Sequence, residues 1–225
     1  MERMIQITAD GSHTIAIPTM RVTYRSRYGA IQESRHVFIE SGLKPLSDEH
    51  ETIHIFEMGF GTGLNALLSL QHAMQHKQKI YYYAVELFPL HANEYASLNY
   101  VAQLQNDLLQ PYFMQMHESA WGKDLSIHSL FSLHKTNNSL LDLLTHQPFN
   151  LIYFDAFAPN AQPELWSQEA FERMFNLLAE NGVLVTYCSK GDVRRAMIAA
   201  GFSVEKLSGP PGKREMLRAL KKWHK

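Results

Sequence analysis

Apolar and polar positions alternate at the start of the chain. Residues 4–8 and 14–17 show that alternation on either side of Asp10-Gly11, which predicts a hairpin. Residues 20–24 extend it, and His36-Val37-Phe38-Ile39 fits either a strand or the edge of a helix. From residue 52 the rhythm changes. Ile53-His54-Ile55-Phe56-Glu57 is a short apolar strand, and Leu64, Leu67, Leu68 and Met74 give residues 64–76 a helical period. Further strands are predicted at 80–85, 127–133, 149–154, 183–188, 202–207 and 215–220. Further helices are predicted at 89–98, 106–113, 163–180 and 192–200, the third closed by Asn181-Gly182 as a C-terminal glycine.

Strands that alternate with helices and are apolar throughout indicate an α/β fold, with a mostly parallel sheet covered on both faces. The last two strands are separated only by Ser208-Gly209-Pro210-Pro211-Gly212, so they should pair antiparallel. The expected organisation is an N-terminal β-rich extension over residues 1–50, then the main α/β unit over 51–225.

Composition narrows the class. At 45% hydrophobic and 19% charged, the chain has material for a real core, and its net charge of −1 excludes a generally basic coat. The total hides an asymmetry. Residues 190–225 carry +7 and residues 1–189 carry −8, with a smaller basic excess at Arg21, Arg25, Arg27 and Arg35. This pattern fits either a solvated surface or a phosphate-binding face built from both ends of the chain. The lone Cys188 excludes an intramolecular disulfide and CxxC metal sites, and a cytoplasmic location is expected. No long apolar run predicts a membrane span. His72 and His76 stand four apart without a third ligand, so no metal is expected.

Three predicted strand ends carry candidate chemistry. In a parallel sheet, ligands bind beyond the carboxyl ends of the strands. Glu57 precedes Gly59-Phe60-Gly61-Thr62-Gly63, and position 64 is Leu where a nicotinamide fingerprint needs its third glycine. The Gly-x-Gly-x-Gly spacing after an acid resembles the S-adenosylmethionine loop of class I methyltransferases. Glu86, at the next strand end, can accept both ribose hydroxyls. Glu57 can hold the cofactor's amino group through water or pin the loop by accepting backbone N–H bonds.

Asp155-Ala156-Phe157-Ala158-Pro159 follows another apolar strand. It resembles the Asp/Asn-Pro-Pro-Tyr/Phe loop of methyltransferases that act on amino groups. A carboxylate and carbonyls there would bind the amine's N–H bonds and aim its lone pair, while Phe157 would bracket it. Asp155 serves as base or as orienting group. Met58, Trp121 and Trp166 read as packing residues, and Tyr24 and Tyr28 fit either strand packing or stacking on RNA.

With these residues assembled, the chain resembles a known family. This is the methyltransferase domain of the bifunctional tRNA 5-methylaminomethyl-2-thiouridine biosynthesis protein (MnmC), with its stand-alone MnmD relatives. The resemblance rests on residues 36–43, Glu57-Met58-Gly59-Phe60-Gly61-Thr62-Gly63-Leu64-Asn65, Asp155-Ala156-Phe157-Ala158-Pro159 with Pro163-Glu164-Leu165-Trp166, and Gly212-Lys213-Arg214-Glu215-Met216-Leu217. It implies a Rossmann-like class I fold that N-methylates the aminomethyl group of tRNA wobble uridine with S-adenosyl-L-methionine.

Under that reading Asp155 and Phe157 sit beside the acceptor amine. Glu57, Gly59, Phe60, Gly61, Thr62, Gly63, Asn65 and Glu86 hold the cofactor, and Asn137 or Asn138 takes its adenine. Pro159, Arg25, Lys213 and Arg214 meet the anticodon region of tRNA. Where many members carry a lysine after the loop proline, this chain reads Asn160-Ala161-Gln162. No flavin domain is expected, because the chain ends soon after its last predicted strand. The competing readings are a methyltransferase acting on a small-molecule or protein amine, and a non-catalytic Rossmann-like module that binds a nucleotide or RNA.

Overall fold

The computed structural model describes residues 2–140 and 148–222. Strands β1 (Met4–Ile7), β2 (His13–Ile17) and β3 (Val22–Thr23) form a small antiparallel sheet. Helix α1 (Ala30–Ser34) then widens directly into a π turn over Arg35–Leu43, so the 36–39 segment is helical. Residues 1–50 thus hold both a sheet and a helix.

The main sheet contains β4 (Thr52–Met58), β5 (Lys79–Val85), β6 (Asp124–His128), β7 (Phe131–Thr136), β8 (Phe149–Phe154), β9 (Leu178–Thr186), β10 (Ser203–Ser208) and β11 (Glu215–Leu220). Their order is β10-β11-β9-β8-β4-β5-β7-β6. The five strands from β9 to β7 in that order run parallel, and β10 and β11 form the expected antiparallel pair. The central β8, Phe-Asn-Leu-Ile-Tyr-Phe, is buried on both faces, as a strand between two helical layers must be. Val37, Phe38, Leu67, Tyr82 and Tyr153 belong to the core on one face. Phe56, Phe154, Trp166, Phe171 and Met197 belong to the core on the other.

Helix α2 (Leu64–His76) matches its expected bounds. Elsewhere tertiary contacts override the local pattern. The 89–98 segment forms only the short α3 (Ala92–Tyr95), followed by α4 (Tyr100–Leu104). Asn99 interrupts it, because its side chain accepts from His13 N at 2.8 Å and donates to Gly11 O at 2.9 Å, clamping the first hairpin. The 106–113 helix lies instead at α5 (Gln110–Glu118). The single strand expected at 127–133 is the β6–β7 hairpin.

The 163–180 helix is likewise divided. A 3₁₀ turn at Pro163–Trp166 precedes α6 (Gln168–Leu177), and Ser167 Oγ caps α6 by accepting from Ala170 N at 3.2 Å. Asn181-Gly182 is not a helix terminator. It lies inside β9 where the pairing with β8 shifts register, and Asn181 takes φ +62° there. Helix α7 (Gly191–Ala199) completes the layers. No helix among the described residues is long and apolar enough to cross a membrane.

Candidate active site

The ends of β4, β5 and β8 are locked together by backbone bonds. Gly59 N and Phe60 N both donate to Val85 O, at 3.0 and 3.1 Å, and Asp155 N donates to Met58 O at 3.1 Å. This brings the glycine loop, Glu86 and Asp155 to one cavity, lined also by Met58, Tyr24 and Phe157.

The loop fits a close-approaching cofactor. Gly59, Gly61 and Gly63 take φ of +93°, +51° and +71°, values L side chains rarely adopt. A Cβ on Gly59 would stand 3.0 Å from Asp155 O, and one on Gly61 would stand 3.0 Å from the Tyr24 ring. Glu86 braces this cradle: Oε2 accepts from Gly61 N at 2.9 Å and Oε1 from Phe88 N at 2.8 Å. Each carboxylate oxygen keeps a second lone pair for a ribose hydroxyl. Leu87 and Phe88 extend the cavity wall. Arg3 fastens this segment by donating to Phe88 O at 2.6 Å and Pro89 O at 3.2 Å.

Beneath the loop, Glu57 is fully buried. Oε1 accepts from Asn65 Nδ2 at 2.8 Å, and the same nitrogen donates to Asp155 Oδ2 at 3.0 Å. Glu57 therefore acts on Asp155 through Asn65, an arrangement outside both roles considered from the sequence. Burial pushes the Glu57 carboxyl up to about 8, with the Arg25 guanidinium opposing that rise. Burial likewise pushes Asp155 up to about 7, again against Arg25.

Arg25 sits where the sequence did not place it. Its side chain is 2% exposed and forms an ion pair with Asp155, whose own side chain is 5% exposed. It is not on the surface as a phosphate contact would be. Its partner lies far along the chain, so no local pattern marks the pair. The Asp155 loop is held from behind as well. Trp166 Nε1 donates to Phe157 O at 2.7 Å, Gln162 Oε1 accepts from Phe157 N at 2.9 Å, and Tyr187 OH donates to Ala156 O at 2.9 Å.

A second pocket opens on the outer side of this loop. Tyr24, Arg25, Glu33, Phe157, Tyr187 and Lys213 line it. Lys213 Nζ donates to Glu33 Oε2 at 2.6 Å and lies 3.9 Å from the Tyr187 ring centroid. Arg214 beside it is exposed, and Pro159 is half-buried on the loop. Glu33 and Tyr187 were not singled out from the sequence. Neither stands in a recognisable motif, and only the fold brings them beside Lys213.

Other expected residues lie elsewhere. Phe60 and Thr62 are buried under the loop rather than facing the cavity. Asn137 and Asn138 are exposed beyond β7 and do not line the cavity as it stands. His72 and His76 stack at 4.3 Å, with His72 Nε2 2.8 Å from Ser47 Oγ. Among the described residues, no group of three His, Cys, Asp or Glu is arranged to hold a metal.

Known proteins resemble this chain in sequence and fold. The chain is 32% identical to the tRNA 5-methylaminomethyl-2-thiouridine biosynthesis bifunctional protein MnmC of Pseudoalteromonas atlantica, covering 96% of this chain and 33% of that protein. It is 30% identical to the MnmC protein of Burkholderia mallei, over 91% of this chain and 33% of that protein. The chain thus spans about a third of the length of these relatives. The crystal structure of MNMC2 from Aquifex aeolicus superposes with a TM-score of 0.82 at 24% identity, covering 98% of this chain and 70% of that one. Spermidine synthase from Thermotoga maritima shares the fold more distantly, at a TM-score of 0.55 and 12% identity over 97% of this chain and 68% of that one. The profile described as S-adenosyl-L-methionine-dependent methyltransferase matches residues 100–222. With its glycine cradle, its acid at the second strand end and this match over more than half its length, the chain belongs to the S-adenosyl-L-methionine-dependent methyltransferase family.

Proposed function

We propose that this methyltransferase acts on the primary amine of 5-aminomethyl-(2-thio)uridine at the wobble position of tRNA, giving the 5-methylaminomethyl nucleoside. The observation that carries this reading is the position of Asp155, which lines the cofactor cavity beside a loop shared with the outer pocket. S-Adenosyl-L-methionine, when bound, supplies an electrophilic methyl group. Gly59, Gly61 and Glu86 would hold it. Asp155 and the carbonyls of its loop would accept the amine's N–H bonds and aim the nitrogen lone pair at the methyl carbon. Tyr24 and Phe157 would flank the nucleobase. The amine nitrogen would gain the new N–C bond and leave as a secondary ammonium, whose surplus proton would pass to solvent.

The names of the MnmC relatives support the tRNA substrate, as does the exposed Arg214 next to the outer pocket. Residues 1–50 would serve as an extension that completes the acceptor side, through Tyr24, Arg25 and Glu33, and residues 51–225 as the methyltransferase unit. The unpaired Cys188 fits work in the cytoplasm. The test is methylation of tRNA from cells lacking this gene, read by nucleoside mass spectrometry. Appearance of 5-methylaminomethyluridine or its 2-thio form is expected. Turnover of small-molecule or protein amines without it would defeat the proposal.

A further inference from the structure

The Arg25 backbone is tied on both sides. Its backbone N–H donates to Thr14 Oγ1 at 2.8 Å, and its carbonyl accepts from Thr23 Oγ1 at 2.8 Å and Thr14 Oγ1 at 3.2 Å. The guanidinium carbon lies 5.9 Å from the centroid of the Phe38 ring. Its charge is permanent, and its Asp155 partner is buried with it. Burying an ion pair gives little net stability, so stability alone is a weak reason for this one. The pair lines both the cofactor cavity and, through Arg25, the outer pocket.

The chemistry of the acceptor supplies a reason. An alkyl amine titrates near ~10 and is mostly an ammonium at neutral pH. An ammonium has no lone pair and cannot take a methyl group. An unpaired carboxylate at the acceptor position would stabilise that wrong form. A guanidinium beside the carboxylate offsets its charge and repels a second cation. Other charges face the pair as well: Glu57 from β4, Glu33 from α1 and Lys213 from the β10–β11 turn. Tyr100 of α4 faces Arg25, and Tyr187 faces both members. Glu33 is itself engaged by Lys213, and Glu57 is turned toward Asn65.

We propose that Arg25 is a positioning residue whose fixed charge, paired with Asp155, makes the acceptor site select the neutral, lone-pair-bearing form of the primary amine. This rests on the acceptor-site reading of the Asp155 loop. The ammonium releases one proton to solvent on docking. The nitrogen lone pair then forms the N–C bond, the methyl–sulfur electron pair goes to sulfur, and the product leaves as a secondary ammonium. Its new charge beside Arg25 favours release.

The test uses an RNA stem-loop carrying 5-aminomethyluridine and the full chain. Binding in the presence of S-adenosylhomocysteine is followed by calorimetry in buffers of different ionisation enthalpy, which counts protons released. Methylation is followed separately from about pH 6 to about pH 10, spanning the amine titration. Wild type should release close to one proton at neutral pH. Arg25→Gln should lose about tenfold or more in rate at neutral pH and recover as pH rises past the amine's titration. Arg25→Lys, whose charge burial weakens, should fall between wild type and Arg25→Gln. Cofactor binding reports whether each variant is folded.

An unshifted pH profile in folded Arg25→Gln overturns the proposal. So does a loss of equal size at every pH. If Arg25→Gln does not fold, wild type decides alone: binding without proton release overturns it. Failure of wild type to methylate the stem-loop and the tRNA would instead overturn the substrate reading.

Discussion

Tyr24 and Phe157 meet edge to face, with ring centroids 5.0 Å apart, and both rings line the cavity at the glycine loop and the outer pocket. One ring comes from the N-terminal segment and the other from the loop after β8. The pair forms a wall shared by the two pockets. Asp155 stands at the foot of that wall, beside Arg25.

Asp155→Asn should reduce turnover by ~10²–10³-fold while leaving cofactor affinity nearly unchanged, because it removes a group that faces the acceptor. Both variants leave Arg25 buried without its carboxylate, costing about 3–5 kcal/mol of stability, and Asp155→Ala also removes the acceptor of the Asn65 bond. Steady-state kinetics, titration calorimetry and thermal melts separate the two. Full activity in Asp155→Asn would remove this residue from the acceptor site.

Gly61→Val should abolish cofactor binding. The new side chain would meet the Tyr24 ring and occupy the space above the loop, at a φ of +51°. Gly122 offers a control, since its φ is +71° and nothing lies within 4 Å of its Cβ position. Gly122→Ala should show only backbone strain, about 1–2 kcal/mol, with binding intact. Unchanged cofactor titration in Gly61→Val would refute the cradle.

Lys213 and Arg214 should separate in their effects. Arg214→Glu, at an exposed position, should raise the KM for tRNA and flatten its dependence on salt. Lys213→Met removes the ion pair to Glu33 and should disturb the outer pocket, lowering turnover on tRNA at every salt concentration. Identical salt slopes for wild type and Arg214→Glu would exclude that residue from the RNA contact.

Stability should fall as the solution becomes alkaline. Glu57 is raised from 4.5 to about 8 in the folded chain, and Asp155 from 3.8 to about 7. The folded state therefore holds protons that the unfolded chain has released. This stabilisation is full below the ordinary carboxyl values and is lost as pH rises through the raised ones. His72 and His117, lowered to about 4 and about 3, titrate differently from the unfolded chain only below 6.5. Between about pH 6.5 and 8 the carboxyl groups should dominate and the melting temperature should drop; above that Lys135, lowered by burial to about 8, opposes them. Glu57→Gln should shrink that drop, leaving the part due to Asp155. An equal drop in both proteins would show that Glu57 is ionised when folded.

The sequence made much of this fold readable where periodicity is strong and local. Leu64–His76, which starts after Gly63, and Phe149–Phe154, which ends at Asp155, fall at their expected bounds because each carries a clean apolar pattern. Asn181-Gly182 misled because the same dipeptide suits a helix end and a strand irregularity, and its pairing with β8 decides between them. Three strand-end features, the glycine loop, Glu86 and Asp155, were legible because parallel sheets place ligands there. Arg25 was not, since a charged residue in a polar stretch reads as solvated until its distant partner is known. Glu57 was visible as an acid before the loop, yet its link through Asn65 to Asp155 depends on side-chain geometry.

Tyr24, Arg25 and Glu33 all precede the main sheet, whereas the glycine cradle and Glu86 belong to it. The preceding segment nevertheless reaches into both pockets, since Tyr24 and Arg25 line the cavity beside the glycine cradle as well as the outer pocket. A change in the first fifty codons therefore bears on both pockets together, and a chimaera joined near residue 50 would have to rebuild the wall of each.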